Sequence, residues 1–424
     1  MAKFLLFSVA LRNPLWFQRQ FRFSRLIGFV VRMARRVTML LPYYPPDVAA
    51  DGQLFSLLAR ELVKLGHPLR VLTWRPRYQG VTAKAPSRET VDGVEIRRMW
   101  APRGGKSLIG RAFAAWWLTK LAFWRALLSG GVLLMPSSPP TLGLVGWWLS
   151  WIGRRYIYVL HDVHPDLGIA LKRMKPGLLA GLLRFIQRRN LARGQTVTLT
   201  EGMKQAALQL QPKARVEVIP NWVDLAAIQP RPKAESEFAR NNDLIKPFVI
   251  QYSGNLGLLH PLDGLTRAMA ELPEAMLTYT GRGAKLGATR ELAKDTPNVR
   301  FFDYQPFDRL ADSLAACDLA VVALEPGADR LAMPSKLQGI LAAARPVLVL
   351  APRSSELARI VTDADCGIVV EGSADARQIA EAVRNLQQDP RRLQTLAANA
   401  RGLAEKTFGL AAAAGRYSSL VNSL

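Results

Sequence analysis

The stretch MPSKLQGILAAARPV (residues 333–347) predicts a short loop, a helix and the first residue of a buried strand. Pro334 and Ser335 are typical of a helix start, with proline near the first helical position and serine as a cap. Lys336 would then place its ammonium beside the positive end of the helix, which favours a diphosphate ligand. The alternative interpretation of Lys336 is a solvated surface lysine.

Strands and helices alternate on both sides of this stretch. The segments that predict strands are 37–41, 69–73, 94–97, 132–135, 156–160, 196–199, 216–219, 248–252, 275–279, 299–302, 319–323, 347–350 and 367–370. Such alternation is typical of parallel sheets covered on both faces. The series breaks at PNWVD (220–224) and at a polar stretch near 230–246. The sequence therefore predicts an α/β protein with two doubly wound domains, whose ligands bind in the cleft between the carboxyl ends of the two sets of strands.

Charge is distributed unevenly over the 424 residues. Residues 1–218 contain 34 Lys and Arg against 10 Asp and Glu, whereas residues 219–424 contain 23 of each. The net charge of +24 therefore belongs to the first half, which indicates an anionic partner. The sequence contains no zinc-finger spacing and no RNP-like segment, so an anionic membrane surface is favoured over nucleic acid. Cys317 and Cys366 form no CxxC pattern, which suits a reducing compartment.

The first 32 residues carry six basic side chains and no acidic one around a short apolar run. No convincing cleavage site follows the run, so a signal peptide is disfavoured. We interpret residues 1–32 either as a basic amphipathic extension lying on a membrane or as an upstream mis-start, because Met33 begins what resembles a natural domain start.

Two later stretches resemble membrane segments. Residues 126–153 carry no charge, but Pro136, Pro139 and Pro140 interrupt them, so we predict a strand, a loop and a helix instead of a span. Residues 108–128 combine Trp and Phe with Arg and Lys, as interfacial helices do. The alternative is a core helix whose basic side chains snorkel to the surface.

Two glycine-containing loops follow strands of the second series. SGNLG (253–257) precedes a helix, and GRG (281–283) follows the next strand. Glycine lets the backbone approach a ligand closely, and a helix start offers N–H groups to a phosphate. Simple tight turns are the alternative. The candidate donor-binding residues in these loops are Gly254, Asn255, Gly257, Gly281, Arg282 and Gly283.

A polar loop, HDVHPD, follows the strand at 156–160. His161 and Asp162 at a strand end suit proton transfer or the binding of sugar hydroxyls. The HDxHxD spacing also resembles a metal site, but a short loop does not make the side chains converge, so we expect no metal. For His164 the alternative is a satisfied side chain in a domain interface, and Asp166 follows it.

Asp51 and Gly52 follow the first strand, at the start of the next helix. We predict that Asp51 acts as an N-cap. Gly52 would allow a ligand to approach the backbone there.

In order along the chain, these segments resemble the GT-B glycosyltransferases of family 4. The most similar branch builds bacterial surface polysaccharides and includes the amino-sugar and colanic-acid-type exopolysaccharide transferases. The segments that carry the resemblance are PYYPPDVAADGQLFSLLARELVKLGH (42–67), SSPPTLGL (137–144), HDVHPDLGIAL (161–171), EGMK (201–204), VIPNWVD (218–224), YSGNLG (252–257) and MPSKLQGILAAARPVL (333–348). They cover residues 37 to about 420.

The resemblance implies two Rossmann-like domains facing a central cleft. Residues 33–224 would form the acceptor domain and residues 225–405 the nucleotide-sugar domain, with a final helix in 406–424 crossing back to the first. It implies metal-independent transfer with retention at the anomeric carbon, in which basic side chains stabilise the departing diphosphate.

The resemblance also assigns roles to residues of this chain. Lys336 matches the lysine of the family's PSK motif. His161 and Asp162 match the loop that lines the sugar site, and we take them as the catalytic candidates. The acceptor-side candidates are Asp51, Gly52, His164 and Asp166.

The chain departs from the family pattern at two places. Many members carry a pair of glutamates whose positions fall here on Leu331 and Gly339. Ribose recognition would then need another group, for which Glu356 is the candidate. Many members also have an arginine after the glycine turn, where this chain has GLLHPLD, and His260 or Arg282 would take its place.

We therefore predict a cofactor-free glycosyltransferase of exopolysaccharide, O-antigen or lipopolysaccharide synthesis. Its partners would be a nucleotide sugar, a saccharide linked to polyprenyl diphosphate, and the anionic inner face of the cell membrane, where the protein is peripheral on the cytoplasmic side. Two alternatives stay open. One is a sugar-nucleotide epimerase of GT-B shape. The other is a non-catalytic subunit that docks a partner transferase at the membrane, which the missing glutamates favour.

Overall fold

The computed structural model describes residues 34–47, 49–76, 85–100, 107–257, 260–371 and 375–424. The predictions for residues 1–32, and the domain start at Met33, lie outside these ranges. The described residues form two sheets, one of eight strands and one of six, with helices on both faces. This is the doubly wound α/β arrangement that the alternation of strands and helices predicts.

The first sheet has the strand order β3-β4-β2-β1-β5-β6-β7-β8. The strands are β1 (Val37–Leu40), β2 (Leu69–Trp74), β3 (Arg88–Val91), β4 (Val94–Met99), β5 (Val132–Pro136), β6 (Tyr156–Leu160), β7 (Gln195–Thr198) and β8 (Arg215–Val218). Neighbours are parallel except β3 and β4, which form an antiparallel hairpin. Asp92 and Gly93 both have positive φ in its turn, as a two-residue hairpin turn requires. The strand β3 was not predicted, because its mostly exposed side chains give no apolar signal.

Helices cover both faces of the first sheet. They are α1 (Ala50–Lys64), α2 (Leu108–Leu127), α3 (Gly143–Ser150), α4 (Asp166–Ala170), α5 (Leu178–Arg193) and α6 (Glu201–Leu210), with a 3₁₀ turn at Pro140–Leu142. Apolar side chains of α1 pack on one face, and those of α2, α3, α5 and α6 pack on the other. The uncharged stretch at 126–153 therefore forms β5, a proline loop and α3, as predicted.

The second sheet is entirely parallel, in the order β11-β10-β9-β12-β13-β14. Its strands are β9 (Phe248–Ser253), β10 (Ala275–Thr280), β11 (Val299–Phe302), β12 (Leu319–Ala323), β13 (Val347–Leu350) and β14 (Gly367–Val370). The helices around it are α7 (Glu237–Asn241), α8 (Asp263–Ala268), α9 (Leu286–Leu292), α10 (Leu310–Ala315), α11 (Leu337–Ala342), α12 (Glu356–Asp363), α13 (Ala376–Gln387) and α14 (Pro390–Thr407). Short 3₁₀ helices lie at Lys233–Glu235, Met269–Glu271 and Phe307–Arg309. Every residue of β12 and β13 is buried, which explains their unbroken apolar sequences.

The last helix, α15 (Leu410–Ser423), packs on the first domain. Trp222, from the PNWVD segment, lies edge-on to Tyr417 of this helix with ring centroids 5.5 Å apart. The indole Nε1 of Trp222 donates to the carbonyl of Leu54 at 3.1 Å. The backbone of Val223 pairs with the chain around Phe408, where its N–H donates at 2.8 Å. The segment that leaves the first domain is thus held beside the one that returns to it.

Candidate active site

A cleft of about 560 Å³ lies between the carboxyl ends of the two sets of strands. From the first domain it is lined by Ala50 and Gln53 of α1 and by Asp162 after β6. From the second domain it is lined by the loops after β9, β10, β11 and β12 and by residues around the PSK motif. The position agrees with the general rule for ligand sites in open α/β sheets.

Lys336 reaches into this cleft from the loop before α11. Its Nζ lies 3.5 Å from the centre of the Tyr252 ring, and a Cβ added to Gly254 would stand 3.8 Å from it. The ammonium is shielded from solvent and has no hydrogen-bond partner among the described residues. Burial lowers the pKa of Lys336 well below its usual value. A bound anion would offset the free-energy cost of burying the charged ammonium, because it supplies a charge partner.

The predicted helix start at Pro334 and Ser335 is wrong. The helix α11 begins at Leu337, Lys336 stands at the N-cap position, and no side chain caps it. The backbone just ahead is held by the first domain instead, since Ala332 forms a β-bridge with Asp162. Pro334 and Ser335 form the turn between this bridge and the helix, and both line the cleft.

The loops after β9 and β10 lie against each other. The N–H of Gly254 donates to Thr280 at 2.8 Å, and that of Leu256 donates to Arg282 at 2.9 Å. Gly281 has φ 147°, and an added Cβ would lie 2.0 Å from the carbonyl oxygen of Gly254, so only glycine fits there. Of the predicted donor residues in these loops, Gly254, Asn255 and Arg282 line the cleft, whereas Gly257, Gly281 and Gly283 do not.

Two candidates stand where many family members have an arginine, and both line the cleft. Nδ1 of His260 donates to the carbonyl of Ala323 at 2.8 Å. Burial, with Lys336 and Lys285 nearby, lowers the pKa of His260 to about 3, so its ring is neutral at physiological pH. Arg282 pairs with Asp303 at 3.3 Å. Of the two, only Arg282 can supply a positive charge.

His161 and Asp51 form a close pair at the edge of the cleft. Nδ1 of His161 lies 3.2 Å from Oδ1 of Asp51, and its ring stacks on Phe55. Burial opposes the charged imidazole, but the Asp51 carboxylate outweighs it and raises the pKa of His161. Burial likewise opposes the carboxylate of Asp51, yet His161 lowers its pKa. Nε2 of His161 is shielded and has no partner among the described residues.

Asp51 therefore does not cap α1, contrary to the prediction. The N-cap position belongs to Ala49, which makes no side-chain bond, and Asp51 lies in the first turn. Gly52 faces the backbone of Tyr43, where an added Cβ would stand 3.0 Å from the carbonyl oxygen. Close chain packing accounts for this glycine.

Asp162 lines the cleft itself, and burial raises the pKa of its carboxyl. The hydroxyl of Ser137 accepts from the N–H groups of His161 and Asp162 at 3.1 and 3.3 Å, which holds the loop at the strand end. The N–H of Val163 donates to Leu331 of the second domain at 2.9 Å. Among the described residues that line the cleft, Asp162 is the only carboxylate.

Besides the three glycines named above, the cleft lining does not include the predicted site residues His161, Asp51, Gly52, His164, Asp166 and Glu356. Nε2 of His164 is 4.0 Å from Asp162, and Asp166 accepts from Arg184. Glu356 accepts from the N–H groups of Glu201 and Gly202 at 3.1 and 2.9 Å, at the start of α6 in the first domain. In this structure Glu356 therefore contacts the first domain, and its predicted contact with the ribose stays a prediction.

One contact across the cleft was not predicted from the sequence. Nε2 of Gln53 donates to the hydroxyl of Tyr304 at 3.2 Å, which joins α1 to the loop after β11. Gln305 and Phe307 of that loop line the cleft too. The signal was present, because YQPF (304–307) directly follows a predicted strand and combines aromatic and polar residues.

The two positions of the family's glutamate pair have different surroundings. Gly339 lines the cleft, near the apolar side chains of Leu310, Leu314 and Ile340. Leu331 is packed against buried apolar residues of both domains. No group of three His, Cys, Asp or Glu able to hold a metal ion occurs in the part of the chain that the structure describes.

Two family models match the chain in succession. Residues 52–222 match the glycosyl transferase 4-like domain, and residues 247–389 match glycosyl transferases group 1. The chain belongs to the GT-B glycosyltransferases of family 4. Both the family and the surface-polysaccharide branch expected from the sequence are confirmed.

Individual similarities are distant. The probable glycosyltransferase WbjE of Pseudomonas aeruginosa is 26% identical over 249 residues, which cover 56% of this chain and 62% of WbjE. The putative colanic acid biosynthesis glycosyl transferase WcaI of Escherichia coli K12 is 25% identical over 342 residues, which cover 75% of this chain and 83% of WcaI. Anabaena Alr3699/HepE, solved in complex with UDP and glucose, superimposes with a TM-score of 0.70 at 14% identity, covering 92% of this chain and 100% of that one. This last similarity concerns the fold.

Proposed function

We propose that this glycosyltransferase moves a sugar from a nucleotide-diphosphate donor to a saccharide linked to polyprenyl diphosphate, in the synthesis of a surface polysaccharide. The observation that carries the proposal is the shielded ammonium of Lys336 in the cleft, which has no hydrogen-bond partner among the described residues. A diphosphate is the anion that fits this position, because the adjoining loops expose backbone at Gly254 and a cation at Arg282. The UDP found in HepE, which has the same fold, supports a nucleotide donor.

The proposed chemistry is metal-independent transfer with retention at the anomeric carbon. Charge develops on the diphosphate as its bond to the sugar breaks, and Lys336 and Arg282 would stabilise that charge in place of a metal. His161, held by Asp51, would offer its Nε2 proton to a sugar hydroxyl, and the backbone and carboxyl of Asp162 would face the reacting sugar. Inversion of the donor's anomeric configuration in the product would contradict this mechanism.

The acceptor side would be the first domain, bound peripherally to the anionic cytoplasmic face of the membrane. Helix α3 packs between α2 and α5, and these three helices expose large apolar side chains. The exposed residues on these helices and directly after α3 are Phe113, Trp116, Trp124, Trp148, Trp151, Ile152, Leu178, Leu179, Leu182 and Phe185. Basic side chains lie among them, and Nζ of Lys120 stands 5.1 Å from the Trp116 ring centre. Tryptophan beside Lys and Arg is typical of surfaces at the membrane interface.

The described residues contain no helix with the length and hydropathy needed to cross a bilayer.

The test is transfer of radiolabelled sugar from a panel of nucleotide sugars to lipid-linked saccharide acceptors. We expect transfer with at least one donor. In Lys336→Met the rate of transfer should fall by about tenfold to hundredfold, since hydrogen bonds to charged groups contribute about 1.5–3 kcal/mol. Lys294→Met is the matched control, because Lys294 is exposed and pairs with Glu291 on the protein surface. Absence of transfer to any lipid acceptor across the panel would refute the proposal.

A second candidate, a non-catalytic subunit that docks a partner transferase at the membrane, is favoured by the absence of a carboxylate at Gly339. It predicts no nucleotide binding by calorimetry, together with co-purification of an active partner. Turnover of a nucleotide sugar without any acceptor would instead indicate an epimerase.

A further inference from the structure

A second cavity, of about 540 Å³, lies at the amino ends of strands in the first sheet. It is bounded by the ends of α3 and α5 and by the segments at the starts of β6, β7 and β8. The carboxyl ends of these parallel strands face the cleft, so their amino ends lie on the far side of the sheet from Asp162. The cavity is therefore separate from the site of transfer.

Among the described residues that line this cavity, five are basic and none is acidic. We call these residues the basic basin: Arg154, Arg155, Arg193, Lys213 and Arg215. None of the five forms an ion pair with another described residue. Cations gathered without a counter-charge repel one another, and a bound anion removes that repulsion.

Arg154 provides a second sign that an anion belongs there. Its Nε and Nη2 are shielded from solvent and have no hydrogen-bond partner among the described residues. Burial also lowers the pKa of this guanidinium. Shielded N–H groups without a partner are costly, and the planar fork of a guanidinium matches the oxygens of a phosphate.

Arg193 is held in place at the mouth of the basin. Its Nε donates to the hydroxyl of Ser150 at 2.9 Å, and its guanidinium lies 4.2 Å from the centre of the Trp151 ring. These contacts fix the position of the charge before any ligand binds, which lowers the entropic cost of binding.

The rim of the basin is apolar, which indicates the source of the anion. Trp151 and Ile152 are each 64% exposed, and Trp148 precedes them on α3. Tryptophan side chains settle at the depth of lipid headgroups, so phosphate groups of a membrane would meet the cations while Trp151 and Ile152 enter the apolar layer. A dissolved phosphate would gain nothing from these two side chains.

We propose that the basic basin binds the headgroup phosphate of an anionic membrane phospholipid. The inference rests on the proposed function, because it deepens the docking of the first domain on the membrane. Bound lipid would fix the rotation of the protein on the bilayer, with the transfer cleft at a set height above it.

The experiment measures binding of the full chain to vesicles of phosphatidylglycerol and phosphatidylcholine, and to vesicles of phosphatidylcholine alone. Arg155→Gln/Lys213→Gln removes two charges from exposed positions of the basin, so folding is preserved. Arg173→Gln/Lys175→Gln removes two charges from exposed positions of the same domain outside the basin. We expect the basin variant to weaken binding to phosphatidylglycerol vesicles by about tenfold or more and the control variant by about twofold or less.

Three outcomes would overturn the inference. Equal losses in the two variants would indicate diffuse attraction by net charge. Equal binding to both kinds of vesicle would show that no acidic headgroup is recognised. Displacement from the vesicles by millimolar inorganic phosphate, at constant ionic strength, would assign the basin to a soluble anion. Nucleotide binding measured on the same samples tests the proposed function separately, because the two cavities share no residue.

Discussion

Nδ1 of His161 lies 3.2 Å from Oδ1 of Asp51, and this contact joins the end of β6 to the first turn of α1. It places beside the cleft-lining Asp162 a histidine that stays protonated to higher pH than burial alone would permit. Its remaining nitrogen, Nε2, is free among the described residues. The pairing therefore favours the protonated imidazole at the position before Asp162.

Asp51→Asn should lower the pKa of His161, because burial then acts with less opposition. Titration of the imidazole by NMR measures the change, and Asp166→Asn is the control, since Asp166 pairs with Arg184 instead.

The raised pKa of His161 contributes stability at low pH, and this stability is lost as the pH rises through that pKa. The lowered pKa of Asp51 contributes stability at higher pH that is lost as pH falls through it. The variant's loss in unfolding free energy should thus be largest between the two pKa values, and an equal loss at every pH would contradict the pairing.

A bound diphosphate should raise the pKa of Lys336, so its binding takes up a proton at any pH between the pKa of the free protein and that of the complex. Burial lowers the pKa of Lys336 in the free protein, and a bound anion raises it again. Affinity should therefore decrease as pH rises through the lowered pKa. Calorimetry in two buffers with different ionisation enthalpies measures the proton count. The same count in wild type and Lys336→Met would show that another group takes the proton.

Gln53 and Tyr304 should be energetically coupled, because their hydrogen bond joins the two domains. A double-mutant cycle of Gln53→Ala and Tyr304→Phe measures the coupling, with unfolding free energies taken from chemical denaturation. In the control cycle, Gln209→Ala replaces Gln53→Ala. A coupling of about 0.5–1.5 kcal/mol is expected for the first cycle and none for the control. Additive effects of Gln53→Ala and Tyr304→Phe would show that the bond contributes nothing in solution.

Glu356→Gln should weaken the contact between α12 and α6 without weakening donor binding. The carboxylate accepts from two N–H groups at the start of α6, where a negative charge is favourable, so a loss of about 1 kcal/mol in unfolding free energy is expected. The nucleotide dissociation constant should stay within about twofold. A tenfold rise in that constant with unchanged stability would support Glu356 as a ribose ligand.

Much of the fold follows from local pattern. The alternating strands and helices predict both sheets, because parallel strands buried on both faces read as short apolar runs between turn residues. The strand-end loops at 253–257, 281–283 and 333–336 were predicted to contribute to the cleft, and each supplies residues that line it.

Contacts between distant segments were not predictable in the same way. Asp51 has the sequence context of an N-cap, but its carboxylate is drawn to His161, which only the folded sheet brings near. Glu356 has the context of a site residue, but the other domain offers it two unsatisfied N–H groups. The strand β3 leaves no pattern because it is an exposed edge. For Asp51 and Glu356 the deciding partner is far away in the sequence.

The central claim is that the cleft holds the diphosphate of a nucleotide donor at Lys336, and calorimetric titration with a panel of nucleoside diphosphates tests it most directly. We predict that wild type and Lys294→Met bind at least one of them with equal affinity. In Lys336→Met that affinity should fall by about tenfold to hundredfold. Failure of every nucleoside diphosphate to bind wild type, or equal binding by Lys336→Met, would contradict the claim.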